Sequence, residues 1–247
     1  GEYFHVEGEK SWRKLTNMDG KQGFIHASRI QMVDYFQIGT QSYLTSQYQL
    51  KVRIQSVGHT KVKLYQIRNI NPQLDDPFSC KGIMEVTSPS GHTQRIEMEE
   101  IESMARNAGM GFVDEYFPDH LIVAKYGDDD DVAYVVHASG KVAEIGGHLF
   151  PIPNTLFLAG LKGCDFGYCG FSVYDLKTHQ VVWKSQIYMT SFFIQNGKFY
   201  GGFEDEDLFE IDFLRFQINK VAIQEEIQYP FFEDFFSLQL GPACLCN

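Results

Sequence analysis

Apolar and polar residues alternate along most of this chain, and turn-forming residues interrupt the alternation at intervals. Across residues 49–67, Leu50, Val52 and Ile54 recur at every second position, Gly58-His59 breaks the run, and Val62, Leu64 and Ile67 resume it. A period of two puts such side chains on one face of a strand, so the break predicts a hairpin. The same signature appears around the turn Ser88-Pro89-Ser90-Gly91, between Ile83-Met84-Glu85-Val86 and Gln94-Arg95-Ile96. It returns over residues 132–145, turning at Ser139-Gly140, and over residues 171–183, turning at Lys177-Thr178-His179. A fifth unit, residues 208–223, holds Asn219-Lys220 late and has no sharp turn signal.

A shorter unit recurs between the hairpins. Pro118-Asp119-His120-Leu121-Ile122-Val123-Ala124 is echoed by Pro153-Asn154-Thr155-Leu156-Phe157-Leu158-Ala159-Gly160 and by Gln195-Asn196-Gly197-Lys198-Phe199-Tyr200-Gly201-Gly202. Pro118 and Pro153 lie 35 positions apart, Asn154 and Asn196 lie 42 apart, and repeats near 40 with about four short strands are those of propeller blades. The stretch Phe171-Ser172-Val173-Tyr174-Asp175-Leu176-Lys177-Thr178-His179-Gln180-Val181-Val182-Trp183 is similar to the Val-Tyr-Asp-Leu-x-Thr-Gly-x-Val-x-Trp pattern of several propeller families, with His179 where they carry glycine. The predicted fold is all-β, either propeller-like or a β-sandwich. One helix is expected over residues 97–108, where Met98, Ile101, Met104, Ala105 and Ala108 follow helical spacing and Gly109 supplies a C-terminal cap.

The opening residues read differently. Trp12-Arg13-Lys14-Leu15, Asp19-Gly20-Lys21-Gln22-Gly23-Phe24-Ile25-His26 and Ser28-Arg29-Ile30 predict a three-strand meander, with Asp19-Gly20 as a tight turn. These residues resemble the C-terminal half of a bacterial SH3-like domain. The resemblance implies a β-barrel module common in exported bacterial proteins, often near the cell wall, and implies no catalysis. The family's front half would precede Gly1, and a chain opening at Gly1-Glu2-Tyr3 without methionine is expected to have lost something upstream. The expected organisation is an SH3-like module over residues 1–33, a polar connector over 34–48 and a repeated-hairpin domain over 49–247.

Composition supports strands and narrows the partners. Aromatic residues make up 15% of the chain, 21 of them Phe and 13 Tyr, and such side chains suit half-buried pleated surfaces. The 32 Asp and Glu outnumber the 21 Lys and Arg, for a net charge of −11. A negative surface without a basic run repels phosphate, so nucleic acid is not an expected partner. No apolar run reaches the roughly 20 residues of a membrane span, and no membrane insertion is expected.

Gly167-Tyr168-Cys169-Gly170-Phe171 brings to mind the nucleophile of papain-like cell-wall peptidases, but that chemistry needs a thiolate at a helix start and a downstream histidine. Strand-like residues follow Cys169, and His179 is the last histidine of the chain. Cys164 and Cys169 are expected to form a loop-closing disulfide or to be buried thiols, not to join Cys244 and Cys246 around zinc. Asp128 to Asp131 and Glu204 to Asp207 are expected to be solvated hairpin tips, because consecutive carboxylates splay apart. The eight histidines include no H-E-x-x-H arrangement, and no phosphate loop, serine elbow or dinucleotide fingerprint appears. No cofactor and no metal are expected.

The resulting expectation is a non-enzymatic binding protein of the bacterial cell envelope, periplasmic or secreted, that recognises a cell-wall component, a peptide or a protein. Expected binding residues are Trp12, Phe24 and His26 of the meander and Tyr229, Phe231 and Phe232 of the aromatic C-terminal stretch. One alternative is an immunity or inhibitor protein whose acidic face blocks a basic toxin or hydrolase. Another is a β-propeller hydrolase, because paired carboxylates remote in sequence leave no local motif.

Overall fold

A computed structural model describes residues 4–7, 12–17, 22–26, 35–70, 80–101, 109–113, 117–126, 131–164, 167–195, 197–203, 207–221 and 244–245. The chain divides into two compact units, Gly1–Tyr48 and Gln49–Asn247. Among the described residues no helix is long and apolar enough to cross a membrane.

In the first unit, β1 (Phe4–Glu7), β2 (Trp12–Asn17) and β3 (Gln22–His26) form an antiparallel meander. Val6 pairs with Leu15 and Trp12 with His26. The turn residues Asp19-Gly20 lie outside the described residues. The expected connector carries a hairpin of its own, β4 (Tyr35–Ile38) and β5 (Gln41–Leu44). Gly39 turns it at φ 61°. Phe36 and Tyr43 face each other across the strands with their rings stacked at 5.3 Å, and Tyr48 meets Tyr43 edge-on at 5.4 Å. These aromatic contacts stabilise a pair that the polar residues around the turn conceal in sequence.

The second unit is a stack of antiparallel meanders. The first sheet holds β6 (Tyr48–Val57), β7 (Thr60–Asn69), β8 (Cys80–Thr87) and β9 (Thr93–Ile101) in chain order. The second holds β10 (Gly109–Phe112), β11 (His120–Tyr126), β12 (Val132–His137) and β13 (Val142–Gly146). The third holds β14 (His148–Pro151), β15 (Phe157–Cys164), β16 (Gly167–Asp175) and β17 (Gln180–Ser185). The fourth holds β18 (Ser191–Gln195), β19 (Lys198–Phe203), β20 (Asp207–Asp212) and β21 (Gln217–Val221). The short β22 (Cys244–Leu245) joins the second sheet beside β10.

Three apolar clusters link the sheets in chain order. Val62, Leu64, Met84 and Met98 of the first sheet meet Met110, Phe112, Val123 and Val136 of the second. Ile122, Ala124, Ala133 and Val135 of the second meet Leu149, Leu158 and Tyr174 of the third. Phe150, Leu161, Phe171 and Val173 of the third meet Phe192, Phe199, Ile211 and Phe213 of the fourth. The second and third sheets are therefore apolar on both faces: Val123 enters one cluster while its neighbours Ile122 and Ala124 enter the other. Each such side chain contributes roughly 1.5–3 kcal/mol by leaving water. A sandwich has two sheets with one buried face each, so the arrangement is propeller-like.

The repeat is anchored in its turns. The last hairpin of each sheet places one residue in the left-handed region: Gly91 (φ 83°), Gly140 (88°), His179 (58°) and Phe216 (54°). The first hairpin does the same with Gly58 (54°), Asp119 (57°), Asn154 (61°) and Gly197 (75°). The recurring unit seen in the sequence at Asp119, Asn154 and Gly197 is this first turn. In a meander the first and last turns lie at the same end, so all eight residues mark one end of the stack. Contacts between sheets confirm the alignment: the Thr60 hydroxyl donates to the Ala138 carbonyl at 2.7 Å.

One expected element needs correcting, and one turn is located. Residues 97–101 continue β9 rather than opening a helix. Ile96 packs against the first apolar cluster and Met98 is buried in it, while Glu97 between them is exposed, so the local period is two. Residues 102–108 lie outside the described residues. In the fifth hairpin the turn sits at residues 213–216, and Asn219-Lys220 belong to β21. That turn is built by Asp212, whose Oδ1 accepts the N–H groups of Leu214 and Arg215, both at 3.0 Å.

Candidate functional site

At the turn end of the stack, three histidines from two sheets converge. His120 opens β11 and His137 closes β12, and the strand register places them directly opposite each other. His179 arrives from the third sheet, at the left-handed position of the β16–β17 turn. One ring nitrogen from each lies within 4.8 Å of the others.

Asp175 positions His179. Its Oδ1 accepts the Lys177 N–H at 2.8 Å, its Oδ2 accepts the Thr178 hydroxyl at 2.8 Å, and its carbonyl accepts the His179 N–H at 2.8 Å. Burial would raise the Asp175 pKa, but the Lys177 N–H, the Thr178 hydroxyl and N–H and the Lys177 charge outweigh it and hold the carboxyl below its usual range.

His120 is 4% exposed. Its Nδ1 lies 2.7 Å from the Pro118 carbonyl oxygen. A carbonyl only accepts, so the neutral ring carries its proton on Nδ1 and its lone pair on Nε2. That Nε2 faces His179 Nδ1 at 3.3 Å, where His179 Nδ1–H donates to it. The His120 ring also meets Tyr174 edge-on at 5.7 Å. His137 stacks on His179 with ring centroids 3.6 Å apart. Its Nδ1 accepts the Ser139 N–H at 3.2 Å and lies 2.9 Å from the Ser139 hydroxyl. Burial pushes the His120 pKa down, with the Pro118 contact opposing it. Burial followed by the charges of His179 and His120 pushes His137 down. Both rings are therefore held in the neutral form that offers a lone pair.

A second polar group occupies the opposite end of the second and third sheets. Asp131 was expected at a solvated tip. It is 8% exposed and pairs through Oδ2 with His148 Nε2 at 2.5 Å. The reason is its place at the start of β12 under the entry to β14, where the Gly147 N–H donates to the Asp131 carbonyl. The Tyr168 ring meets His148 edge-on at 5.3 Å, and burial together with the Asp131 charge raises its pKa. Residues 128–130 lie outside the described residues. At the same end Cys164 and Cys169 are joined by a disulfide that closes the β15–β16 hairpin. Cys169 thus sits in a strand, without the helix start that a papain-like nucleophile needs.

Of the expected binding residues, Trp12 pairs with His26 and Phe24 with Lys14 in the register of the first unit's meander. Tyr229, Phe231 and Phe232 lie outside the described residues. The sequence reading missed the histidine cluster altogether. Its members are far apart in the chain, and only the His179 departure from turn glycine marked any of them.

No family model and no curated protein sequence matches the chain. Among solved structures it is similar to HIRA(644–1017), at 13% identity and a TM-score of 0.25, over 70% of this chain and 56% of that one. It is similar to the WD40 domain of SCAP from fission yeast, at 10% identity and a TM-score of 0.26, over 90% of this chain and 61% of that one. A complex of the fission yeast SREBP–SCAP binding domains is similar at 8% identity and a TM-score of 0.20, over 88% and 59%. The chain thus spans 56% to 61% of the lengths of these structures.

Proposed function

We propose that this chain is a non-enzymatic binding protein that docks a protein partner on the turn end of its sheet stack, in the bacterial cell envelope. The observation that carries this reading is an apolar group at that end. Leu156 in the first turn of the third sheet is 58% exposed, and Leu214 in the last turn of the fourth is 66% exposed. Phe216, two residues after Leu214, rests on Phe157, the chain neighbour of Leu156, and on Trp183, each at 5.6 Å between ring centroids. Exposed apolar side chains grouped over half-buried aromatics mark docking surfaces, and rigid sheets that present loops favour binding there.

Two features support the envelope setting. The Cys164–Cys169 disulfide fits an oxidising compartment, and the first unit carries a three-strand antiparallel meander where the sequence resembles an SH3-like domain of exported proteins. The net charge of −11 favours a partner with a basic rim, which keeps an inhibitor role as the second reading.

The test is affinity capture from an envelope fraction with the wild-type chain and with Leu214→Glu, followed by a binding titration with the captured protein. A partner bound at least tenfold more weakly by Leu214→Glu, at unchanged thermal stability, supports the reading. Equal affinity of the two chains overturns the site. Retention on purified peptidoglycan without a protein partner overturns it in favour of wall binding.

A further inference from the structure

We infer that His120, His137 and His179 form a binding site for one late first-row divalent transition ion, zinc being the test ion, which staples the second sheet to the third.

The spacing of the donors is the first argument. Two nitrogens held about 2.0–2.1 Å from a tetrahedral zinc lie about 3.3–3.4 Å apart. His120 Nε2 and His179 Nδ1 are 3.3 Å apart, with no ion needed to bring them there. In the metal-free chain a single proton on His179 Nδ1 occupies that gap. An ion replaces this proton: Nδ1 gives it to water while Nε2 takes one up, so the ring stays a neutral imidazole, and the hydrogen bond becomes two coordinate bonds.

The surroundings of His120 are the second argument. Its Nδ1–H is committed to the Pro118 carbonyl at 2.7 Å. Such a bond from the non-ligating nitrogen fixes the tautomer, aims the other lone pair and makes it a better donor. The ring is buried and wedged against Tyr174, so its Nε2 is a preorganised ligand rather than a mobile surface group.

The backbone at His179 is the third. The corresponding turn position is glycine in the first and second sheets, and His179 adopts φ 58° in its place. A side-chain-bearing residue adopts that conformation at a cost, and strain of this kind gathers at ligand sites. A ring on that turn is what brings a third-sheet nitrogen to His120.

His137 completes the set. It stacks on His179 at 3.6 Å, and parallel rings do not aim their lone pairs at one point, so it must rotate out of the stack as the ion enters. It is only half-buried, and its Nδ1 partners belong to Ser139, two residues on in the same turn, which leaves it room to move. The Asp119 carboxylate acts electrostatically on both His120 and His137 and favours a cation between them. Three imidazoles suit zinc, copper and nickel and not calcium or magnesium, which take oxygen ligands. A fourth position is left for water or for a donor from a partner.

The experiment uses the tag-free chain, stripped of metal, titrated with zinc by calorimetry and with cobalt(II) by visible absorption. The expected result is one ion per chain, a rise in the zinc-loaded melting temperature, and the intense visible bands of tetrahedral cobalt. His137→Gln and His179→Gly should each weaken zinc binding at least tenfold. Glycine suits the left-handed turn, so His179→Gly keeps the fold and separates ligand loss from unfolding. His92→Gln, at an exposed turn of the first sheet, should bind as the wild type does. Absence of one-to-one binding at micromolar zinc overturns the inference. So does wild-type affinity in both His137→Gln and His179→Gly.

Discussion

Single residues decide the turns of this protein, and Asp175 shows how. Its carboxylate gathers the Lys177 N–H and the Thr178 hydroxyl, which lets the chain reverse without glycine at position 179. Asp212 does the same for the turn that ends at Phe216. The motif Asp-x-x-x-aromatic is thus the legible counterpart of Gly91 and Gly140 in the other two sheets. Asp175→Ala should lower stability by about 1 kcal/mol at neutral pH, measured by chemical denaturation. The sign of its pH dependence follows from the depressed folded pKa. The Asp175 contribution is complete above the ordinary value of 3.8 and is lost as the pH falls through the lower folded value. In Asp175→Ala that part of the acid dependence should vanish. A turn residue with positive φ was recognisable in sequence where it was glycine, followed proline or, as His179, stood in the place of a turn glycine. Phe216 was not, because its conformation is imposed by Asp212, four residues earlier.

At the scale of elements, the strands were mostly legible and their environment was not. Alternation located the outer hairpins because successive side chains of a strand face opposite ways, although in β6 Val52 and Ile54 are exposed. It misled at residues 97–101, where apolar residues also matched helical spacing and only pairing with β8 selected the strand. Close approach between elements was likewise hidden. Gly146 ends β13 against β15 of the next sheet, and a Cβ there would lie 2.2 Å from the Leu161 carbonyl carbon. Backbone cannot yield as a side-chain tip can. Gly146→Ala should therefore cost about 3 kcal/mol, at the upper end of overpacking effects, read as a lower denaturation midpoint with an unchanged slope. Nothing in the run Ile145-Gly146-Gly147-His148 announces that contact over an ordinary loop.

At the scale of the molecule, each sheet of the second unit is tied to its chain neighbours by one apolar cluster, as in a repeat protein. Phe213 is 2% exposed and its ring meets those of Phe150, Phe171, Trp183 and Phe199 at 4.8–5.9 Å. Phe213→Ala should cost about 3–5 kcal/mol. Hydrogen exchange should accelerate most in β14–β21 and least in β6–β9, because the loosened cluster joins only the third and fourth sheets. Uniform acceleration across all four sheets would contradict this neighbour-by-neighbour account. The sequence by itself determined the all-β character, the hairpins and their approximate repeat, since these follow from local periodicity and turn chemistry. Tertiary structure alone decided that the sheets stack with both faces of the middle two buried. It alone took Asp131 out of water and brought His120 and His137 to His179. The reason is physical: alternation fixes which face a side chain occupies, while the partner of that face is set by how separate sheets pack, and no local pattern records it.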